Sequence, residues 1–527
     1  MEQLNNVLSE SGEETKASEV ELMKEVNSPL FLKIRQNFGT FARISLIFGS
    51  SFTLLFYKTG IGLNSFLFTM AMVVLLAAAS KKLELPVKKE TVACYLGAVL
   101  LGLSNMLTSS PKLWLFNTIG ILLLLDLSLL LQFKDKESWD FTRYLSKLLS
   151  LPFHSLASIG IPFLDGNRFF KNTKLLKDDR IRNVLIGGVI AIPLLLIVTA
   201  LLSSADLLFG KMTSRVYTFI FSNNMYLIVM MVIFGFLACY SILCGAAGLA
   251  PGKQKVRAKA DPVIGVTVTI LLLFVYALFC GIQVAYLFNN GLFKLPAEFT
   301  YAEYARRGFF ELLAVTCFNI LLILFCMNVF RESKLLRFVL SAITVCTYIM
   351  IASSAYRMIL YIGEYHLTFL RLFVLLFLLI DAMLLAGIIV SLYRTGFPLF
   401  GYCVTVISVC YLLFSFSKPD YYSAAYLLDQ KSELEAEDIT FLTRELSYDA
   451  APVVIPRLYE MDNSIPNFYM EGDRNEWLST PDSVNNEIEQ YCYRIVTNAS
   501  EHHIRDFNLS YTLAEMEAGK YMKEEGE

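Results

Sequence analysis

Between Thr40 and Phe416 the chain is a succession of apolar segments separated by short loops. About 18 or more apolar residues in a row are long enough to cross the hydrocarbon of a bilayer as a helix. About eleven segments meet that standard, at roughly 41–57, 63–80, 92–108, 113–133, 183–203, 226–248, 263–288, 308–330, 335–361, 368–393 and 397–415. In hydrocarbon a helix satisfies its own backbone, so an all-α, polytopic transmembrane bundle is expected. Pro193 falls inside the fifth segment, where a membrane helix tolerates a kink.

Charge divides the chain. Residues 1–415 hold 36 Lys and Arg against 24 Asp and Glu, whereas residues 416–527 hold 9 against 23. Three regions follow: a polar, acidic leader over 1–40, a multi-spanning domain over 41–416, and a small acidic helical domain over 417–527. The leader lacks the basic start and short cleavable apolar core of a secretory signal. In the tail, Pro419-Asp420 starts one helix, Asp438 is placed to cap ITFLTREL, Asp449 precedes AAPVVIPRL, and helical periodicity returns at 482–497 and 507–523.

The loops give a direction. Cytoplasmic loops carry an excess of Lys and Arg. With the amino terminus inside, the inner segments hold Lys33, Arg35 and Arg43, then Lys81, Lys82, Lys88 and Lys89, then ten basic residues over 134–182. The 253–259, 331–337 and 394 clusters follow, and the contrast with the outer loops is about three to one. An odd number of spans then sets the tail outside. The 134–182 loop mixes Leu and Phe with Arg, Lys and Ser at helical spacing. It reads as a basic amphipathic segment on anionic lipid, with a cytoplasmic partner site as the sharper alternative.

Ionisable residues that enter spans are functional candidates, since each costs roughly 2.5–3.5 kcal/mol at a helix centre. Two segments concentrate them. In FTYAEYARRGFFEL (299–312), Thr300 and Glu303 form a capping box, and Glu303, Arg307 and Glu311 stack at i, i+4 and i+8, beside Arg306. In YRMILYIGEYHLTFLRL (356–372), Arg357, Tyr361 and Glu364 share one helix face and Thr368 and Arg371 another, with His366 in the turn. Asp206 ends the fifth segment at the same level. Together these residues form an expected extracytoplasmic polar rim, read either as charges that lock helix packing or as a pocket for a ligand, headgroup or ion. Asp126 and Asp381 are deeper. Each is placed to hydrogen-bond a neighbouring helix or, alternatively, to relay protons.

TYAEYARRGFFELLA (300–314) and RMILYIGEYHLTFLRL (357–372) resemble the signatures of an uncharacterised, domain-of-unknown-function family of bacterial polytopic membrane proteins. IPLLLIVTALLSSADLLF (192–209) and the start of the tail, from KPDYYSAAYLLDQ onward, resemble two further stretches of it. The likeness runs over roughly 180–460 and implies a bacterial cell membrane with no assigned chemistry. His366 stands where the family pattern favours Gly before Leu-Thr, which argues against a strict backbone role for that Gly and adds a titratable group.

No catalytic, phosphate-binding or nucleic-acid motif is present. No cofactor is called for. Nine of ten cysteines lie in or beside apolar segments and no C-x-x-C occurs, which argues against a disulfide framework or zinc site. His502-His503 lacks further ligands. The expected partner is the bilayer, with no nucleic acid; the acidic tail reads as a solvated surface that repels anionic lipid, with docking of a basic protein partner as the alternative. A sensory, scaffolding or regulatory membrane protein is the first reading, a secondary transporter or channel-like protein the second, and a membrane-embedded enzyme the third.

Overall fold

The computed structural model describes residues 28–134, 141–172, parts of 191–206, 207–222, 224–249, 259–287, 309–394, 396–431, 434–462, 481–500 and 503–524. These residues are helical almost throughout, with one isolated bridge between Ala260 and Phe330. Eleven of the helices are long and apolar enough to cross a membrane. The chain is a multi-pass, all-α membrane protein.

Helix α1 (Pro29–Gln36) starts on the Ser28 hydroxyl, which accepts from the Phe31 amide at 3.0 Å with Pro29 at the first position. It leads into α2 (Phe38–Phe56), α3 (Leu63–Lys82), α4 (Lys89–Leu107) and α5 (Pro111–Phe133). After α6 (Phe141–Ala157), α7 (Ile161–Asn172) and α8 (Leu207–Ser222), α9 (Met225–Leu249) packs antiparallel on α2: Phe234 faces Phe52, Gly235 meets Gly49, Tyr240 faces Phe38, and Ser28 donates to the Ala247 carbonyl. A second bundle comprises α10 (Pro262–Leu287), α11 (Phe309–Val329), α12 (Lys334–Glu364) and α13 (Phe369–Tyr393). It has its own core around Ile323, Leu340, Ile343, Leu385 and Ile388. Between the bundles stands α14 (Leu399–Phe416), which touches both α4 and α13.

The tail contains α15 (Pro419–Gln430), α16 (Ala436–Thr440), α17 (Ala451–Asp462), α18 (Pro481–Ser500) and α19 (Leu509–Glu524). They close around Leu442, Val454, Leu458, Ile488, Tyr491 and Ile495. Lys418, in the left-handed region with φ 52°, turns the chain from α14 into α15. Asp438 does not cap the following turn as its spacing suggests. It occupies the third position of α16 and accepts from the Glu435 amide at 3.0 Å, as in a capping box.

The end of α2 and the end of α14 both meet the tail domain, so their first residues mark the opposite, entry face. Both α6 and α7 stay on that entry face. Tyr144 stacks on Phe400 at the start of α14 (4.2 Å), Lys147 donates to the Leu249 carbonyl, and Phe169 lies against Phe38 at the start of α2 (5.5 Å). A straight crossing helix would carry Phe169 roughly 37 Å from the level of Tyr144, at about 1.5 Å per residue. A short 3-10 turn at Ser158–Gly160 instead bends the segment across the ends of the bundle. Length and apolarity qualify Phe141–Phe170 as a span; its contacts make it an interfacial pair of helices, with Leu149, Phe153, Leu156 and Phe163 exposed.

Among the described residues, α5 ends on the entry face and α9 begins on the tail face. The expected fifth span at 183–203 is mostly outside the described residues.

Where α2 crosses α9, Gly49 packs on Gly235. A Cβ added at Gly49 would sit 2.4 Å from the Val232 carbonyl oxygen, and one at Gly235 2.6 Å from the Gly49 Cα. Small residues let membrane helices approach this closely. Gly49→Val is expected to destabilise the fold by about 1–3 kcal/mol or more, whereas Gly160→Ala, with open space around its new methyl, leaves it unchanged. Thermal unfolding in detergent compares the two.

Candidate functional site

Of the rim residues, Arg357, Tyr361, His366 and Arg371 lie at the tail-face end of the second bundle. On α12, Arg357 is buried, and its Nη2 donates to Gln283 Oε1 of α10 at 3.0 Å, which also accepts from Ser353 Oγ at 2.7 Å. One turn on, the Tyr361 ring lies 4.4 Å beneath the Arg371 guanidinium, and Arg371 Nη1 donates to the Tyr365 carbonyl at 2.8 Å. His366 has φ 72°, a left-handed conformation that glycine adopts freely. The turn therefore does demand a special backbone at the place where the family pattern favours Gly. Here the imidazole makes use of the position, with Nε2 3.3 Å from the buried Asp438 carboxylate of the tail domain.

Asp438 also binds Lys431 at 2.8 Å, and that hydrogen bond pushes the lysine ammonium upward from its ordinary range. Asp206 is exposed and caps α8, accepting from the Phe209 amide at 2.6 Å. Glu311 is exposed in the first turn of α11. Glu303, Arg306 and Arg307, with the Thr300 capping box, lie outside the described residues, as does the side chain of Glu364. The structure thus brings Tyr361, Arg371 and His366 to one turn, joins Arg357 to α10, and holds Asp206 in its own helix start. Of the deeper carboxylates, Asp381 is buried and accepts from Thr316 Oγ1 of α11 at 2.9 Å. Asp126 is half-buried with no hydrogen-bond partner among the described residues.

A larger polar seam escaped the sequence reading because it is built of small uncharged residues. In the first bundle and α14, Asn117 Nδ2 donates to Asn105 Oδ1 (2.9 Å), and Asn105 Nδ2 donates to Ser65 Oγ (2.9 Å). Asn117 Oδ1 accepts from Tyr411 and Ser415 hydroxyls, both at 2.8 Å. The seam continues into the tail domain, where Asn508 Nδ2 donates to the carbonyls of Asn105 (3.1 Å) and Thr108 (2.7 Å).

At its centre is Asp449, 2% exposed. Its carboxylate accepts from the Thr108 and Ser510 hydroxyls, the Ser109 amide (2.9 Å) and the Ser109 hydroxyl (3.2 Å). No salt bridge among the described residues reaches it. Beside it, burial pushes the Tyr511 hydroxyl up to about 12. The loop over 57–62 is clamped in the same way. Gly60 donates to Asp506 at 3.1 Å, Leu63 donates to the Phe507 carbonyl at 2.8 Å, and a Cβ on Gly62 would meet that carbonyl oxygen at 2.4 Å. The available sequence signal was the run SNMLTSS at 104–110, unusually polar for a turn between apolar spans.

On the entry face a second buried carboxylate went unread. Asp165 of α7 pairs with Arg35 of α1 at 2.7 Å and accepts from Tyr240 at 3.0 Å. The hydrogen bond to Asp165 raises the Arg35 guanidinium further, although burial opposes it.

A multi-spanning helical membrane protein with a tail domain seated on one face is the class these features define. Residues 95–456 match the model of DUF4153, a domain of unknown function, and the chain belongs to that family. The match begins earlier than the resemblance over 180–460, and takes in α4, α5 and their shared loop. Comparison with curated proteins and with solved structures finds no match.

Replacing Asp449 by Ala leaves buried donors without an acceptor, and is expected to cost about 2–4 kcal/mol. Hydrogen exchange should rise at 57–62 and 107–110 together, while the core of α18 stays protected. Protection unchanged in both loops would contradict the clamp.

Proposed function

We propose that this chain is a sensory or scaffolding membrane protein that presents its tail domain on the extracytoplasmic side, with the amino terminus in the cytoplasm. The buried clamp around Asp449 carries the reading. A tail tied to three separate loops, at 57–62, 107–110 and 365–368, reports any rearrangement of the bundles beneath it. A transporter has no need of so extensive a fixed joint away from its midplane. The orientation is supported by the basic residues that cluster on the entry face. On the same reading, α6 and α7 rest their exposed Leu and Phe side chains among anionic headgroups of the inner leaflet. The acidic tail surface, net negative by 23 against 9 charges, is the candidate contact for a protein partner.

Three measurements test this proposal. A reporter fused after Glu527 should register the extracytoplasmic side; a cytoplasmic signal overturns the orientation. Photocrosslinkers at the exposed Tyr493 and Met516 should capture a discrete protein in intact cells, and Asp449→Ala should abolish the capture. Proton or cation flux in proteoliposomes, lost in Asp126→Asn or Asp381→Asn, would replace the scaffold reading with transport.

A further inference from the structure

The two bundles part on the entry face. Between α4 and α5 on one side and α11, α13 and α14 on the other lies a half-open cleft of about 980 Å³. It is closed toward the tail face, where Phe116 stacks on Phe373 (4.7 Å) and Phe369 meets Phe414 (5.7 Å) over the buried Leu113. Its walls are mostly apolar, with Leu96 and Leu100 from α4, Leu124 from α5, and Val404 and Leu412 from α14, interspersed with Thr405 and Ser408. From Glu90 to Leu100, and from Leu399 to Leu412, the walls run about 15–20 Å at 1.5 Å per helical residue. That depth suits a fatty acyl chain. The mouth is charged in both senses, with Lys134, Lys259 and Glu90 all lining its entry-face end. Tyr144, stacked on Phe400, forms part of the rim and accepts a hydrogen bond from Lys134.

A soluble solute has no use for such walls, and a bare hydrocarbon has none for such a mouth. A lipid that lays one of its acyl chains in the cleft beneath a dipolar head matches both. We infer that the cleft holds a phospholipid of the entry-face leaflet, its acyl chain between Leu100, Leu124 and Leu412, its phosphate at Lys134 and Lys259, and an ethanolamine ammonium at Glu90. An anionic glycerol headgroup would meet the Glu90 carboxylate without a cation to offer it. A choline headgroup offers a cation that cannot donate a hydrogen bond.

Native mass spectrometry of the full chain tests the assignment, in micelles containing equal amounts of ethanolamine, glycerol and choline phospholipids with identical chains. One ethanolamine phospholipid per chain should survive, preferred by about tenfold over the other two. Glu90→Gln should erase that preference while retaining a lipid. Lys134→Gln with Lys259→Gln should lose the lipid, and so should Ser408→Trp, which fills the cleft. A thermal unfolding midpoint in detergent unchanged from that of the parent chain verifies that each variant is folded. Equal retention of all three lipids, retention that survives Ser408→Trp in folded protein, or a lipid-free dimer each overturns the inference.

Discussion

Asp449 is a carboxylate shut away from water, and everything around it follows from the cost of leaving it unsatisfied. Burying an ionised carboxylate without partners is prohibitive, and hydrogen bonds to its charged form are the remedy where no cation is at hand. Its donors come from both parts of the molecule. Thr108 and Ser109 belong to the turn between α4 and α5, and Ser510 to α19. Neither the bundle nor the tail domain completes this site alone. The tail core around Leu442, Leu458 and Ile495 holds the carboxylate rigid, and the α4–α5 turn meets it with amide and hydroxyl in place.

The seam behind Asp449 extends the same logic into the membrane. Asn105 and Asn117 each bring two donors and an acceptor into a medium that supplies none. They satisfy one another, and Ser65, Tyr411 and Ser415 take up what remains. The network therefore specifies which helices are neighbours, α3, α4, α5 and α14. Apolar packing alone, with leucine on every side, discriminates poorly in lipid. On the entry face the Arg35–Asp165–Tyr240 cluster does the equivalent work, tying α1, α7 and α9 together.

The spans were legible because hydropathy is a local property that needs no knowledge of neighbours. Charge balance changes sign near Ser417, next to the end of α14 at Phe416. Phe141–Phe170 shows the limit: by composition it passes as a span, and only its contacts with Phe400, Leu249 and Phe38 keep it on the entry face. Its Arg, Lys and Ser at helical spacing had pointed that way. The candidate site was less legible. Charged residues stand out in apolar surroundings, so Arg357, Arg371 and Asp381 drew attention, whereas Asn105, Asn117 and Ser415 did not. Ser and Asn are ordinary in membrane helices, and their importance here arises from meeting one another across segments up to 403 residues apart. The Asp438–His366 contact was hidden for the same reason, as it joins a turn to a domain that local periodicity treats separately.

These two polar systems divide the molecule along its height. Near the tail face the bundles are joined, by Ser415 and Tyr411 on Asn117 and by the Phe116–Phe373 stack. Toward the entry face nothing comparable bridges α5 to α13 among the described residues, and the cleft opens there. A body joined at one end and parted at the other is a hinge in its mechanics. The tail domain sits over the joined end, gripping the α2–α3, α4–α5 and α12–α13 turns at once. Any change in the spread of the bundles below must therefore be accommodated either by bending within the helices or by strain in that grip. Helices are stiff and the grip is made of short, directional hydrogen bonds, so the grip is where such a change is felt first.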